Sequence, residues 1–178
     1  ATIRDNGREV VENKLVKDDE GYYTIDFEDF EKKVSNESIS LFIMCSPHNP
    51  VGRVWTKEEL EKMGEICLKH NVLVISDEIH SDLIFKDSKF TSFLTLKDEL
   101  KNNCIVCTAP SKTFNLAGLQ TSLIFIADDE IRDKYKNTLM KIRLETPSTF
   151  GIEAIKAGYM HSGEWLDELM DLTHTVRR

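Results

Sequence analysis

The chain has 178 residues, 40% of them hydrophobic, which suffices for one sizeable core and requires no second complete domain. Its 23 basic residues are scattered among 31 acidic ones, for a formal net charge of -8, which argues against a nucleic-acid partner. No apolar run reaches bilayer length, and Ala1 to Asp5 lack both portions of a signal peptide, so the expectation is a cytoplasmic protein with no membrane partner.

Arg8 to Val16 reads as a β-rich opening, and Asp26 as the N-cap of a short helix carrying Phe27, Phe30 and Val34. The continuous apolar run Ser40 to Cys45 predicts a buried strand. It ends at Ser46-Pro47-His48-Asn49-Pro50-Val51-Gly52, where two prolines and a glycine enforce a loop. Thr56 and Glu59 make a capping box, and Leu60, Met63, Ile66 and Cys67 share one face of a helix from Thr56 to His70, ended by Asn71. Val72 to Ile75 is apolar on consecutive residues, as in a parallel strand covered on both faces, and it runs into Ser76-Asp77-Glu78-Ile79-His80. A short helical stretch, Leu94 to Leu100, precedes the strand Ile105-Val106-Cys107, which delivers Ala109-Pro110-Ser111-Lys112-Thr113-Phe114. Thr121 to Ala127 reads as a further strand. Asp128 or Asp129 then caps a helix reaching about Leu144, and helices over Ser148 to Met160 and Glu164 to Leu172 are broken at His161-Ser162-Gly163.

Strands alternating with helices predict an α/β fold in three layers, with a mainly parallel sheet covered by helices on both faces and joined by right-handed crossovers. Ligands in such sheets bind beyond the carboxyl ends of the strands. The four cysteines, Cys45, Cys67, Cys104 and Cys107, lie in or beside apolar runs and are expected as free thiols. Cys104 and Cys107 have Cys-x-x-Cys spacing, but strand alternation sends them to opposite faces, which opposes a metal or redox role. Asp77, Glu78, His80 and Asp82 also contain ligand types, yet neighbours on a strand end diverge and no second ligand group follows at typical spacing. No metal is expected.

Asn49, Asp77 and Lys112 fall at equivalent ends of three strands, each separated by about one crossover unit, so the fold brings them to one crevice. A lysine desolvated there has an amine available to form an imine with an aldehyde, as pyridoxal 5'-phosphate provides. That cofactor's pyridine nitrogen must stay protonated to draw electrons from an adjacent carbanion, and Asp77 is the anionic partner for it. A side-chain amide in a rigid proline-flanked loop suits the ring's phenolic oxygen, which assigns Asn49. The bland alternatives are a solvated loop lysine at Lys112 and a satisfied interior histidine at His80; the clustering of the three strand ends outweighs both. His48, His70, His161 and His174 read as loop or helix-face residues, and Trp55 and Trp165 as packing anchors.

Through Asn49-Pro50-x-Gly52, Ser76-Asp77-Glu78-Ile79-His80 and Ser111-Lys112, the sequence resembles the class I/II aminotransferase family, fold type I of the pyridoxal phosphate enzymes, over nearly the whole chain. Within it, Ser46 to Trp55, Asp77 to Asp82 and Pro110 to Asn115 look most like the cystathionine β-lyase type of carbon-sulfur lyase. The resemblance implies Lys112 as the catalytic imine lysine and proton shuttle, Asp77 at the pyridine nitrogen, Asn49 and His80 near the phenolic oxygen, Ser111 near the phosphate, and Ile79 against a ring face. Ala109 stands where a phosphate-binding Ser or Thr is usual, Gln120 where many members have an Arg, and His80 where aminotransferases commonly have Tyr.

Family members are longer. The resemblance therefore implies that residues 1–163 are part of the cofactor-binding large domain and 164–178 the start of the helix leading to a small domain. The expected activity is a β-lyase releasing pyruvate, ammonia and a thiol from a small-molecule amino acid substrate, cystathionine or cysteine, in a homodimer when full length. The alternatives are an aminotransferase passing an amino group to a 2-oxo acid, a noncatalytic cofactor-binding regulator domain, and a plain α/β binding module. The chain by itself is expected to turn over poorly, since the parts that grip phosphate and substrate carboxylate lie outside it.

Overall fold

The computed structural model describes residues 2–176. A single helical turn, α1 (Thr2–Asp5), opens the chain. Residues 8–15 then run irregular and mostly exposed, where the sequence predicted a β-rich opening. Their valines have no neighbouring strand to pair with. The segment is tied down instead by Asn13, whose amide donates to the Asp26 carbonyl (3.1 Å) and the Asp29 carboxylate (2.8 Å), and by Lys33, which donates to the Glu12 carbonyl. Only β1 (Val16–Lys17) pairs, antiparallel to β2 (Tyr23–Thr24).

Helix α2 (Phe27–Val34) starts where Asp26 accepts from the Asp29 N–H and buries Phe30 and Val34. Strand β3 (Leu41–Cys45) follows, then α3 (Lys57–Lys69), which begins with the full Thr56–Glu59 capping box and ends before Asn71, whose φ of 56° stops the helix. Strand β4 (Leu73–Asp77) leads through a 3₁₀ turn at Phe93–Thr95 to α4 (Asp98–Asn102) and β5 (Cys104–Thr108). After it come a one-turn helix α5 (Pro110–Thr113), strand β6 (Leu123–Ile126) and helix α6 (Asp129–Lys141), capped by Asp128. Arg143, at φ 59°, breaks the chain short of the expected Leu144. Helices α7 (Thr149–His161) and α8 (Gly163–Val176) complete the described residues, so positions 177 and 178 of the expected linking helix lie outside them.

The four-stranded sheet has the order β3-β4-β5-β6. Strands β3, β4 and β5 are mutually parallel. The last strand runs antiparallel to β5, a direction that an apolar run does not encode. The fold is thus α/β with a mixed, mostly parallel sheet.

One face of the sheet is dry. Met44, Val74, Cys104 and Val106 alternate onto it and pack with Leu60, Met63 and Cys67 of α3, Phe30 of α2, and Leu100 of α4. Each large apolar side chain removed from water here stabilises the fold by roughly 1.5–3 kcal/mol. Gly64 lets α3 approach: a Cβ there would meet the Phe93 ring at 3.0 Å and Leu100 at 3.1 Å. The opposite face is covered only in part, by α6. Leu41 and Ile43 remain 42% and 47% exposed, in a strand whose apolar run predicted burial on both sides.

Candidate active site

The parallel register sets the site. Cys45 of β3, Asp77 of β4 and Cys107 of β5 are direct partners in the ladder, so three strand ends stop in one row, and paired residues share a face. With adjacent strands about 4.8 Å apart, the row spans roughly 10 Å. Backbone bonds extend it: the Ser46 N–H donates to the Asp77 carbonyl at 2.9 Å, and the Glu78 N–H donates to the Cys107 carbonyl at 2.8 Å. The loops bearing Asn49, the Asp77 to His80 segment, and the turn bearing Lys112 therefore leave the sheet side by side.

Asp77 lies on the partly open face and Glu78 on the dry one, as alternation requires. Glu78 is buried and accepts from the Phe93 N–H (2.8 Å) and the Ser76 hydroxyl (3.1 Å) on one oxygen, which ties the following segment to the core. Burial pushes its carboxyl above the usual range. Asp77 accepts from the Ile79 N–H at 3.1 Å through Oδ1, and among the described residues no cation pairs with it. Its second oxygen is unspent. The flanking thiols stay neutral: burial, and then the charge of Asp77, pushes Cys45 and Cys107 up, with the Asn49 N–H partly offsetting this at Cys45. All four cysteines are free thiols, and Cys104 and Cys107 face opposite ways as expected.

The loop after β3 is held from behind. Both of its X-Pro bonds, Ser46–Pro47 and Asn49–Pro50, are cis, and Gly52 takes a φ of 73°. Arg53, buried beneath, donates to both carboxylate oxygens of Glu59 at 2.9 Å and to the Tyr23 carbonyl, while its guanidinium stacks between Tyr22 and Trp55 at 4.2 and 4.4 Å. The His48 N–H reaches the Arg53 carbonyl at 2.7 Å, and the Trp55 indole donates to the Cys45 carbonyl at 3.0 Å. Asn49 sits exposed on the crest of this braced loop, its side-chain amide free of protein partners among the described residues.

After β5, Pro110 takes the first position of α5, so Ser111 and Lys112 fall on a single helical turn that the sequence pattern did not reveal. Ser111, Ile79 and His80 are half-buried. Lys112 is solvent-exposed, where the sequence placed it in a desolvated crevice; these residues by themselves do not shield it. Ala109 is buried and offers no donor, and Gln120 is exposed in a left-handed conformation at φ 49°. Trp55 is a buried anchor, but Trp165 is nearly half exposed, resting on Phe114.

Asn49, Asp77, His80, Ser111 and Lys112 thus lie at or just beyond three adjacent strand ends, and among the described residues their side chains have no protein partner except Oδ1 of Asp77, which takes the Ile79 N–H. A group with a protonated ring nitrogen, an acceptor oxygen, a phosphate and a carbonyl carbon would use every one of them, and the neutral thiols leave Asp77 the only anion of its row. By that test the residues fit pyridoxal phosphate. Among the described residues no cluster of ligand-type side chains could hold a metal ion, and no helix is long and apolar enough to cross a membrane. Sequence reasoning gave no role to Arg53, whose bonds to Glu59 and to the Tyr23 carbonyl brace the Asn49 loop, because Tyr23 lies 30 residues away and shares no local pattern with it.

The family model for aminotransferase class I and II matches residues 1–178. Cystathionine beta-lyase PatB of Bacillus subtilis (strain 168) is 49% identical over 168 residues, 94% of this chain and 43% of its own length. Protein MalY of Escherichia coli (strain K12) is 32% identical over 168 residues, 94% of this chain and 42% of its own. Among solved structures, cystalysin from Treponema denticola, which contains a pyridoxal 5'-phosphate cofactor, superposes with a TM-score of 0.91 at 39% identity, covering 95% of this chain and 43% of that one. The chain spans about two fifths of the length of these relatives.

Proposed function

Because the chain belongs to the aminotransferase class I and II family, we propose that it forms the cofactor-holding part of a pyridoxal phosphate enzyme acting on amino acids, a carbon-sulfur β-lyase of the cystathionine β-lyase type. The observation that carries this is Asp77: a carboxylate with one oxygen unspent, between two neutral thiols, in register with the strand that delivers Lys112.

When bound, the cofactor supplies an electron sink for the pair left behind as a proton leaves the substrate's α-carbon. Asp77 keeps a proton on the ring nitrogen by opposing its charge. Asn49 and His80 direct donors at the phenolic oxygen, Ser111 offers its hydroxyl to the phosphate, and Ile79 packs against a ring face. Lys112 would hold the cofactor covalently through its amine, and as a free amine it would take the α-proton. The lyase outcome would convert the substrate and water to pyruvate, ammonia and a thiol. The kinship to cystathionine beta-lyase PatB supports the lyase outcome over proton return.

Transamination begins with the same proton removal, and the family carries its name, which keeps it as the second reading. Release of pyruvate from cystathionine by the complete polypeptide, assayed with and without a 2-oxo acid, separates the two. The lyase needs no acceptor, and strict acceptor dependence contradicts it. In keeping with the unpaired thiols we place the protein in the cytoplasm. The apolar side chains exposed on and between α6 and α7, among them Met140, Ile142, Phe150 and Met160, suit a homodimer.

A further inference from the structure

Helix α5 is one turn long and has no side-chain cap at Ala109; Pro110 and the Phe114 N–H bond to the Pro110 carbonyl shape the turn but do not orient it in the fold. Its position comes from the two residues after Lys112. Thr113, only 1% exposed, donates its hydroxyl to Oδ2 of Asp82 at 2.8 Å, and the hydroxyl of Tyr159 on α7 donates to the same oxygen at 3.3 Å. Phe114 meets the Tyr159 ring edge-on, with centroids 5.4 Å apart, and lies against Gly158 so closely that a Cβ there would come within 2.8 Å of its ring.

Asp82 is five residues beyond Asp77, in a segment held by turns from Ser81 to Glu78 and from Leu83 to His80. One carboxylate therefore links the strand end that carries Asp77 and His80, the turn that carries Lys112, and helix α7. We infer that Asp82, through Thr113 and Tyr159, is a positioning residue that aims Lys112 at the cofactor's carbonyl carbon. This rests on the cofactor role given to Lys112 above.

The chemistry suits a permanent tie. Burial and the neighbouring Asp82 charge push the Tyr159 phenol up to about 12, so it remains a donor at every physiological pH. Hydrogen bonds to a carboxylate are shorter and stronger than neutral ones, and the near-zero exposure of Thr113 leaves its hydroxyl no water to turn to.

The test uses the complete polypeptide with added pyridoxal phosphate, following borohydride fixation at Lys112 by peptide mapping and the pH midpoint of the bound cofactor's absorbance. Thr113→Val, which keeps the shape and removes the donor, is expected to slow fixation roughly tenfold and to shift that midpoint. Thr113→Ser restores both. Asp82→Ala reproduces the Thr113→Val effect, and because it also strands a buried hydroxyl, the Thr113 pair decides the matter where that variant does not fold. Wild-type fixation and an unchanged midpoint in Thr113→Val overturn the inference while leaving the functional reading intact. A wild-type protein that takes no label at Lys112 overturns the reading and the inference together.

Discussion

The two faces of the sheet are built differently although the same strands make both. On one, Met44, Val74 and Val106 are sealed under α2, α3 and α4; on the other, Leu41 and Ile43 stand half in solvent and Asp77 looks out between two thiols. The neighbours Asp77 and Glu78 condense the contrast. Glu78 is turned inward and structural, holding the Phe93 N–H and the Ser76 hydroxyl; Asp77 is turned outward with an oxygen to spare. Stability and chemistry are thus assigned to opposite sides of one layer.

Substitutions on the two sides should part company. Leu60→Ala, on the dry face, is expected to cost about 4 kcal/mol in denaturant unfolding of the 178-residue chain, because the site is too tightly packed to collapse. A cost below about 1 kcal/mol there would mean that the face is not the core. Arg53→Ala strands the Glu59 carboxylate and the Tyr23 carbonyl and should cost about 3 kcal/mol. The same measurement with unchanged stability would remove the argument that the Asn49 loop is braced from behind.

Glu78→Gln tests the inward carboxylate by its pH dependence. A folded-state pKa raised by burial contributes stability that is present below the ordinary carboxylate value and lost as pH rises through the raised one. Glutamine keeps a carbonyl oxygen for the Phe93 N–H and the Ser76 hydroxyl, so the variant should match wild type in acid and exceed it at neutral pH. A parallel pH dependence in the two proteins contradicts the assignment. Smallest of all, Ile43→Thr on the open face should shift stability by no more than about 0.5 kcal/mol.

Much of the dry face was legible in the sequence because its signals are local. Asp26 and the Thr56–Glu59 box announce its helix starts through side chains within three residues of the groups they cap, as Asp128 and Ser148 do for α6 and α7 elsewhere. The positions of Asn49, Asp77 and Lys112 at three strand ends could be read for the same reason, since each lies a few residues after an apolar run. What could not be read depends on distance. The valines near Val10 have strand character but no partner, the antiparallel sense of β6 leaves no mark on its composition, and Asp82 meets Tyr159 across 77 residues. Exposure of Lys112 likewise reflects what covers the open face, which local pattern does not specify.

The account stands most directly on where pyridoxal phosphate attaches. Incubation of the complete polypeptide with the cofactor, borohydride reduction and peptide mapping should place a single stoichiometric label on Lys112. That label should be absent in Lys112→Ala and strongly reduced in Asp77→Ala. Label spread over the surface lysines, or retained undiminished in Lys112→Ala, would contradict it.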